Sequence, residues 1–304
     1  MPENSADVVC FGALNMDVLY VVDSLPYPDG ESYVLKVDTF SGGSAANTAV
    51  ALAEFGNNVI FVGAVGMDEF GKKLKEDLIH WGVKPILHYG ERSGKALVFV
   101  DLDGNRSIVV DPGSNDEISE FPDVNGKLLH LTSFVCKNSD KPFYAQLKAT
   151  ESFDNVSLDP GAIYARRKDI IKLIEACTIF LPNKKEIEII TGMNYKEGAK
   201  KISKIMDGIV VVKLGKDGCY ATDGEIELKV DSFDVKLVDT TGAGDAFNAG
   251  FIHSWIRGYD LKTCMLAGNF SASKCVEKYG ARNFPSKKEM EFFLTKRSSK
   301  QELL

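Results

Sequence analysis

The feature that most constrains the fold is an alternation running along most of the chain. Short apolar runs of strand length are followed by stretches with helical apolar spacing. Residues 8–13 and 59–65 are apolar runs that suit strands buried on both faces, and 128–135, 156–158, 178–181 and 209–214 are further short β-type runs, mostly apolar. Residues 45–55 and 70–81 carry apolar side chains at helical spacing and are stopped by Gly56 and Gly82; further helices are predicted over 143–149, 170–176, 186–190 and 199–206. A βαβα rhythm of this kind predicts an α/β fold of three layers, a mainly parallel central sheet with helices on both faces. Two stretches break the rhythm. Residues 19–22 with 33–40, and 96–102 with 107–110, alternate at period two without a crossover helix, and Asp103-Gly104 joins the second pair as a hairpin. They are predicted to form a small antiparallel lid contributed by residues of about 14–42 and 94–112. A lid apolar on both faces either closes over a ligand or pairs with another subunit, and a homodimer through it is expected. No repeat or low-complexity linker divides the chain, so residues 1–304 are read as one domain.

Composition narrows the function classes. A chain of 304 residues, 44% apolar and 26% charged with mixed signs, buries a large core. A net charge of −7 argues against a general nucleic-acid binder, although helix termini and a few local cations still hold an anionic ligand. The six cysteines include no C-x-x-C pair and the four histidines do not cluster, which argues against a zinc site or a disulfide framework and suits a reducing cytoplasm. The opening Met-Pro-Glu-Asn-Ser-Ala-Asp lacks a basic leader region, and no apolar run approaches 18 residues, so neither a signal peptide nor a membrane span is expected.

The chemistry concentrates in Asp239-Thr240-Thr241-Gly242-Ala243-Gly244-Asp245, read as a turn between an apolar strand (Val235, Leu237, Val238) and an apolar helix beginning at Ala246. Small residues let backbone amides approach a ligand, and amides opening a helix have no intrahelical acceptor and lie at the positive end of its dipole. That is a place for phosphate, where a carboxylate needs a reason to be present. Proton abstraction supplies one: Asp245 takes a hydroxyl proton while the amides of Gly242, Ala243 and Gly244 stabilise charge on a transferred phosphoryl group. An ordinary Gly-rich, acidic helix start is the alternative.

In order along the chain stand Gly12-x-x-Asn15-x-Asp17, Gly42-Gly43-Ser44-Ala45-Ala46-Asn47, Asn183-x-x-Glu186, Lys213-Leu214-Gly215-x-x-Gly218 and the Asp239–Asp245 turn. With these motifs the chain resembles the ribokinase or PfkB family of carbohydrate and nucleoside kinases over nearly all its length. The resemblance implies a ribokinase-like fold and an ATP-dependent phosphotransferase acting on a hydroxymethyl group. It implies magnesium and, in some members, a monovalent cation. Asn15, Asp17, Gly42, Gly43 and Asn47 match the acceptor side. Each of these residues suits sugar hydroxyls through hydrogen bonding or close backbone approach, although Ser44–Asn47 also suits a helix N-terminus.

On the nucleotide side, Asn183 and Glu186 match a motif that organises magnesium, with Glu186 acting through water. Glu186 is equally a first-turn helix acid. Lys213 reaches phosphates or is a strand-end charge. Gly215 and Gly218 fit a loop under the nucleotide, and Asn269 lies near adenine or only allows close helix packing.

Where ribokinases place Lys and Glu against the sugar, this chain has Ser44 and Ser133, which disfavours free ribose and favours a nucleoside, fructose, a sugar acid or a sugar phosphate. Arg106, on the lid, either pairs with an acceptor anion or is a solvated hairpin residue. Asp239 and Thr241 match part of the monovalent-cation site, but 280–284 departs from the ribokinase pattern. A nucleoside kinase is the alternative enzyme, and a non-catalytic sugar- or nucleotide-binding regulator the alternative of another class.

Overall fold

A computed structural model describes residues 5–301; Met1–Asn4, part of the opening read above as leaderless, lie outside the described residues. The chain runs β1 (Ser5–Phe11), β2 (Asn15–Val22), β3 (Val34–Gly42), α1 (Ser44–Glu54), β4 (Val59–Gly66), α2 (Glu69–His80), β5 (Lys84–Gly90), β6 (Gly94–Val100) and β7 (Arg106–Asp111). It continues through β8 (Asn125–Thr132), α3 (Lys141–Ala149), β9 (Val156–Asp159), α4 (Gly161–Tyr164), α5 (Ile170–Glu175), β10 (Ile179–Phe180), α6 (Lys184–Thr191), α7 (Tyr195–Met206) and β11 (Ile209–Lys213). The last part holds β12 (Cys219–Thr222), β13 (Glu227–Val230), α8 (Ala243–Trp255), α9 (Leu261–Cys275) and α10 (Lys287–Gln301).

Among the described residues the main sheet has nine strands in the order β13-β12-β11-β10-β9-β8-β1-β4-β5. It is parallel from β5 to β11, and a hairpin adds β12 and β13 antiparallel at one edge. Alternate side chains of β1 enter opposite layers, because successive residues of a strand face opposite ways. Val8 and Cys10 pack in the layer that holds α1, α8 and α9, and Val9 and Phe11 in the layer that holds α3, α5 and α7. Burial on both faces is why the central strands read as mostly apolar runs. The edge strand β5 carries Lys84, Pro85 and His88 and is partly exposed, so its pattern was not a strand signal. Strand order reverses beside β1, with β4 and β5 on one side and β8 to β11 on the other. A crevice therefore opens at the carboxyl ends of β1 and β8.

The expected lid is present as a separate four-stranded sheet, β3-β2-β6-β7, with its hairpin turning through Gly104. It is mixed rather than antiparallel, because β2 and β6 run parallel. The chain between β3 and β6 passes through α1, β4, α2 and β5 in the main body, so β6 returns in the direction of β2. A second expectation is overturned: residues 235, 237 and 238 form no strand. Asp231, Asp234 and Lys236 interrupt the apolar pattern there, Leu237 is 63% exposed, and the Val238 and Asp239 amides donate to the Val276 carbonyl rather than to a neighbouring strand. The catalytic turn thus follows an irregular segment. No helix among the described residues is long and apolar enough to cross a membrane.

Candidate active site

The turn before α8 is held from both sides. Gly242 caps the helix at φ 77°, a conformation glycine adopts at no steric cost, and a Cβ there would strike the backbone of Ala281. The Asp239 carboxylate accepts from Thr241 N at 2.9 Å, Thr241 Oγ1 at 2.7 Å and Gly280 N at 3.0 Å, which ties the turn to the segment after α9. Burial opposes the charge on Asp239, yet these hydrogen bonds, helped by the more distant Arg106, hold its carboxyl below the usual range. Arg106 is exposed on the lid, and its field reaches this phosphate-side turn. Gly244 differs from Gly242. Its φ is not positive, and an added Cβ would meet only Lys213 Nζ at 3.6 Å, so its small size keeps the turn surface open rather than relieving backbone strain.

Asp245 lies in the first turn of α8, 8% exposed. Burial pushes its carboxyl up to about 7; Asn47 and Ser44 donate to it and Lys213 lowers it, while Asp159 raises it further. Asn47 Nδ2 donates to Asp245 Oδ2 at 2.9 Å, and Arg282 Nε donates to Asn47 Oδ1 at 3.1 Å. Arginine has only donors, so the Asn47 oxygen must face Arg282 and its NH₂ must face Asp245. The chain of contacts thereby fixes an amide that would otherwise be free to flip.

Asp17, Gly42, Gly43 and Asn47, expected on the acceptor side, lie close together at the root of the lid. Gly43, at φ 106°, passes under the Ala13 carbonyl, and the Asp17 carboxylate lies against Gly42 where any side chain would collide with it. Burial raises the Asp17 carboxyl to about 6, with Arg282 pulling the other way. Asn15 Oδ1 accepts from Asn115 Nδ2 at 2.9 Å, and Asn115 also bonds both backbone groups of Leu14, pinning the root of the lid.

On the opposite side Lys213 Nζ pairs with Asp159 Oδ2 at 2.6 Å and donates to Asn248 Oδ1 at 3.1 Å, while Asn248 Nδ2 donates to the same Asp159 oxygen at 2.6 Å. Burial would raise the Asp159 carboxyl, but the Lys213 ammonium and these hydrogen bonds more than offset it. Asn183 and Glu186 form a reciprocal capping box at the start of α6. Burial, with the Asp159 charge adding, pushes Glu186 to about 7. Gly215 and Gly218 both have positive φ, and a Cβ on Gly218 would strike the Val230 carbonyl. Asn269 Nδ2 donates to the carbonyls of Val230 and Asp231, hooking α9 to the end of β13.

Four functional neighbours escaped the sequence reading: Asn115, Asp159, Asn248 and Arg282. Asp159 ends a predicted strand, the position that flagged other site residues. The rest carry no local signal, since their partners lie far away in the chain.

Nearly the whole chain matches a family model. Residues 5–289 fit the pfkB family of carbohydrate kinases. An uncharacterized sugar kinase of Archaeoglobus fulgidus is 44% identical over 242 residues, 77% of this chain and 97% of the relative. An ATP-dependent ribose-1-phosphate kinase of Halopiger xanaduensis is 33% identical over 95% of this chain and 98% of its own. In three dimensions the ribokinase of Thermotoga maritima superposes with a TM-score of 0.84 at 26% identity, covering 95% of this chain and 99% of that one. The chain belongs to the PfkB carbohydrate kinase family and has the ribokinase-like fold. It is a kinase, a phosphotransferase whose acceptor is an alcohol group of a sugar or nucleoside.

Proposed function

We propose that the γ-phosphate of ATP is transferred to a hydroxymethyl group of a sugar or sugar derivative, with Asp245 as the base. The observation that carries this reading is Asp245 itself: a buried carboxyl pushed to about 7, held by Asn47, beside helix-opening amides. A base poised near neutral pH accepts a hydroxyl proton while a substantial fraction of it is still carboxylate. The amides of Gly242 and Gly244 receive the charge that grows on the phosphoryl oxygens, and that of Ala243 joins them by leaving the Thr240 carbonyl, to which it donates at 3.2 Å. Asn15, Asp17, Gly42, Gly43 and Asn47 bind the acceptor. Lys213, Asn183, Glu186, Gly215 and Gly218 serve the nucleotide, and Asn269 supports that half by fixing the end of β13. Arg106 acts from the lid on the phosphate side, where its field already reaches Asp239.

Magnesium accompanies ATP in this reading, an ion that keeps most of its waters and needs few direct protein ligands. Glu186 fits contact through water and Asp159 faces the same side; when bound, the ion would neutralise phosphate charge. A monovalent cation remains a further proposal, resting on Asp239 and Thr241. The lid supports a homodimer: Val34, Leu35, Val37 and Phe40 of β3 and Ile108, Val109 and Val110 of β7 are each roughly half exposed. Six unpaired cysteines suit a cytoplasmic location.

The ATP-dependent ribose-1-phosphate kinase among the relatives supports ATP as donor and a pentose among the acceptors. The test is ADP release with ATP against a panel of sugars, sugar acids, sugar phosphates and nucleosides. Release stimulated well above background by one class of acceptor is the expected result. Tight nucleotide binding with no stimulation by any acceptor would favour a non-catalytic regulator.

A further inference from the structure

Arg282 stands in the segment that departs from the ribokinase pattern, and its side chain is only 12% exposed. Its three guanidinium nitrogens have different fates. Nε donates to Asn47, Nη1 pairs with Asp77 of α2, and Nη2 is buried without a partner among the described residues. An arginine nitrogen can only donate, and a buried donor left unpaired costs free energy, so Nη2 is built to meet an oxygen that arrives with a ligand. Its neighbours identify the direction. Asn47 and Asp17 both belong to the acceptor side, and the Arg282 charge acts on Asp17 across it.

The chemistry of that oxygen follows from the charges. Asp77 already answers the guanidinium charge, and the half-buried Asp17 and the buried Asp245 bring two more carboxyl groups. A phosphate here would face three acids and one cation at low dielectric. A neutral hydroxyl meets both needs, accepting from Nη2 while donating to Asp17. Resting on the kinase reading above, we propose that Arg282 is an acceptor-binding residue whose Nη2 donates to a neutral sugar hydroxyl, and that an acceptor's phosphate, where there is one, lies elsewhere.

The test deletes the two sides of the contact in turn. Arg282→Lys and the wild type are assayed with D-ribose, D-ribose 1-phosphate and adenosine, each beside its 2-deoxy and 3-deoxy analogue. In the wild type, loss of one hydroxyl should cost about ten- to hundredfold in kcat/KM, because the site's donor is left unpaired. In Arg282→Lys the same deletion should cost less than about threefold, since the partner is already gone. KM for ATP should not move. A deoxy penalty unchanged in the variant would overturn the proposal, whatever the fall in kcat, because Arg282 would then act only by holding Asn47. Selective loss of phosphorylated acceptors would overturn it too, by making Arg282 a phosphate ligand. If Arg282→Lys does not fold, Arg282→Met keeps the length of the side chain and removes every donor. There the same penalty should shrink, and an undiminished one would refute the contact. A wild type inert toward all acceptors that still binds ATP would instead bring down the kinase reading on which this rests.

Discussion

The two halves of the site are prepared in opposite ways. On the nucleotide half the polar groups already satisfy one another: Lys213, Asp159 and Asn248 form a closed triangle, and Asn183 and Glu186 cap a helix together. On the proposed acceptor half Asn15 and Asn47 are paired too, but two charged groups wait. Arg282 Nη2 has no partner, and no hydrogen bond reaches the Asp17 carboxylate among the described residues. A pre-paired half contributes to the fold before any ligand arrives, whereas an open half costs stability and recovers it on binding. Mutations should therefore separate the halves by what they damage.

Asp245, which both halves share, should show the largest effect. Asp245→Asn keeps size and hydrogen-bonding capacity but removes the base, so kcat should fall by about 10²–10⁴-fold with ATP affinity little changed. A mutant retaining more than about a tenth of wild-type turnover would remove Asp245 from the mechanism. Next comes Lys213→Ala, which takes the cation from the buried Asp159 charge and leaves it the Asn248 amide. It should cost about 3–5 kcal/mol of stability as well as nucleotide binding, and Asp159→Asn added to it should restore part of the melting temperature. A Lys213→Ala protein as stable as wild type would erase the contrast drawn here.

Asp17→Ala belongs to the other half. Acceptor kcat/KM should drop about ten- to hundredfold, while KM for ATP and the melting temperature hold. Equal damage to acceptor and nucleotide would mean that the two halves are not separable. The smallest effect is thermodynamic. The folded Asp245 carboxyl sits at about 7, above its ordinary value of 3.8. The sign follows: the fold favours the protonated form, an advantage complete below the unfolded pKa and lost as pH rises through about 7. Asp245→Asn, permanently neutral, should thus melt a few degrees above wild type at pH 8 and level with it at pH 4. The reverse order would place the carboxylate in a favourable charge environment.

What was legible in the sequence was local. Val59–Gly66 is buried along its whole length and reads as an unbroken apolar run, and Gly242 to Asp245 announces its chemistry within four residues. What was not legible was pairing across the chain. Lys213 meets Asp159 across 54 residues, and Arg282 meets Asn47 across 235. Neither the mixed order of the lid nor the identity of an Asn47 partner leaves a periodic trace, because strand order and long-range contacts are set by the path of the chain rather than by spacing. The false strand before Asp239 shows the converse: three apolar residues at strand spacing become a strand only if a sheet edge is there to receive them.

The most direct test of the central claim is the pH dependence of kcat with saturating ATP and the best acceptor of the panel. Burial, with Asp159 at the end of β9, Lys213 at the end of β11, and Asn47 and Ser44 of α1, sets the range of the base, and the neutral thiol of Cys275 of α9 faces it. With Asp245 as that base, log kcat should rise with unit slope below about pH 7 and level off above it, as the carboxyl pushed to about 7 gives up its proton. A kcat independent of pH between about 5 and 8, with chemistry shown to be rate-limiting, would contradict general-base catalysis by a buried carboxylate.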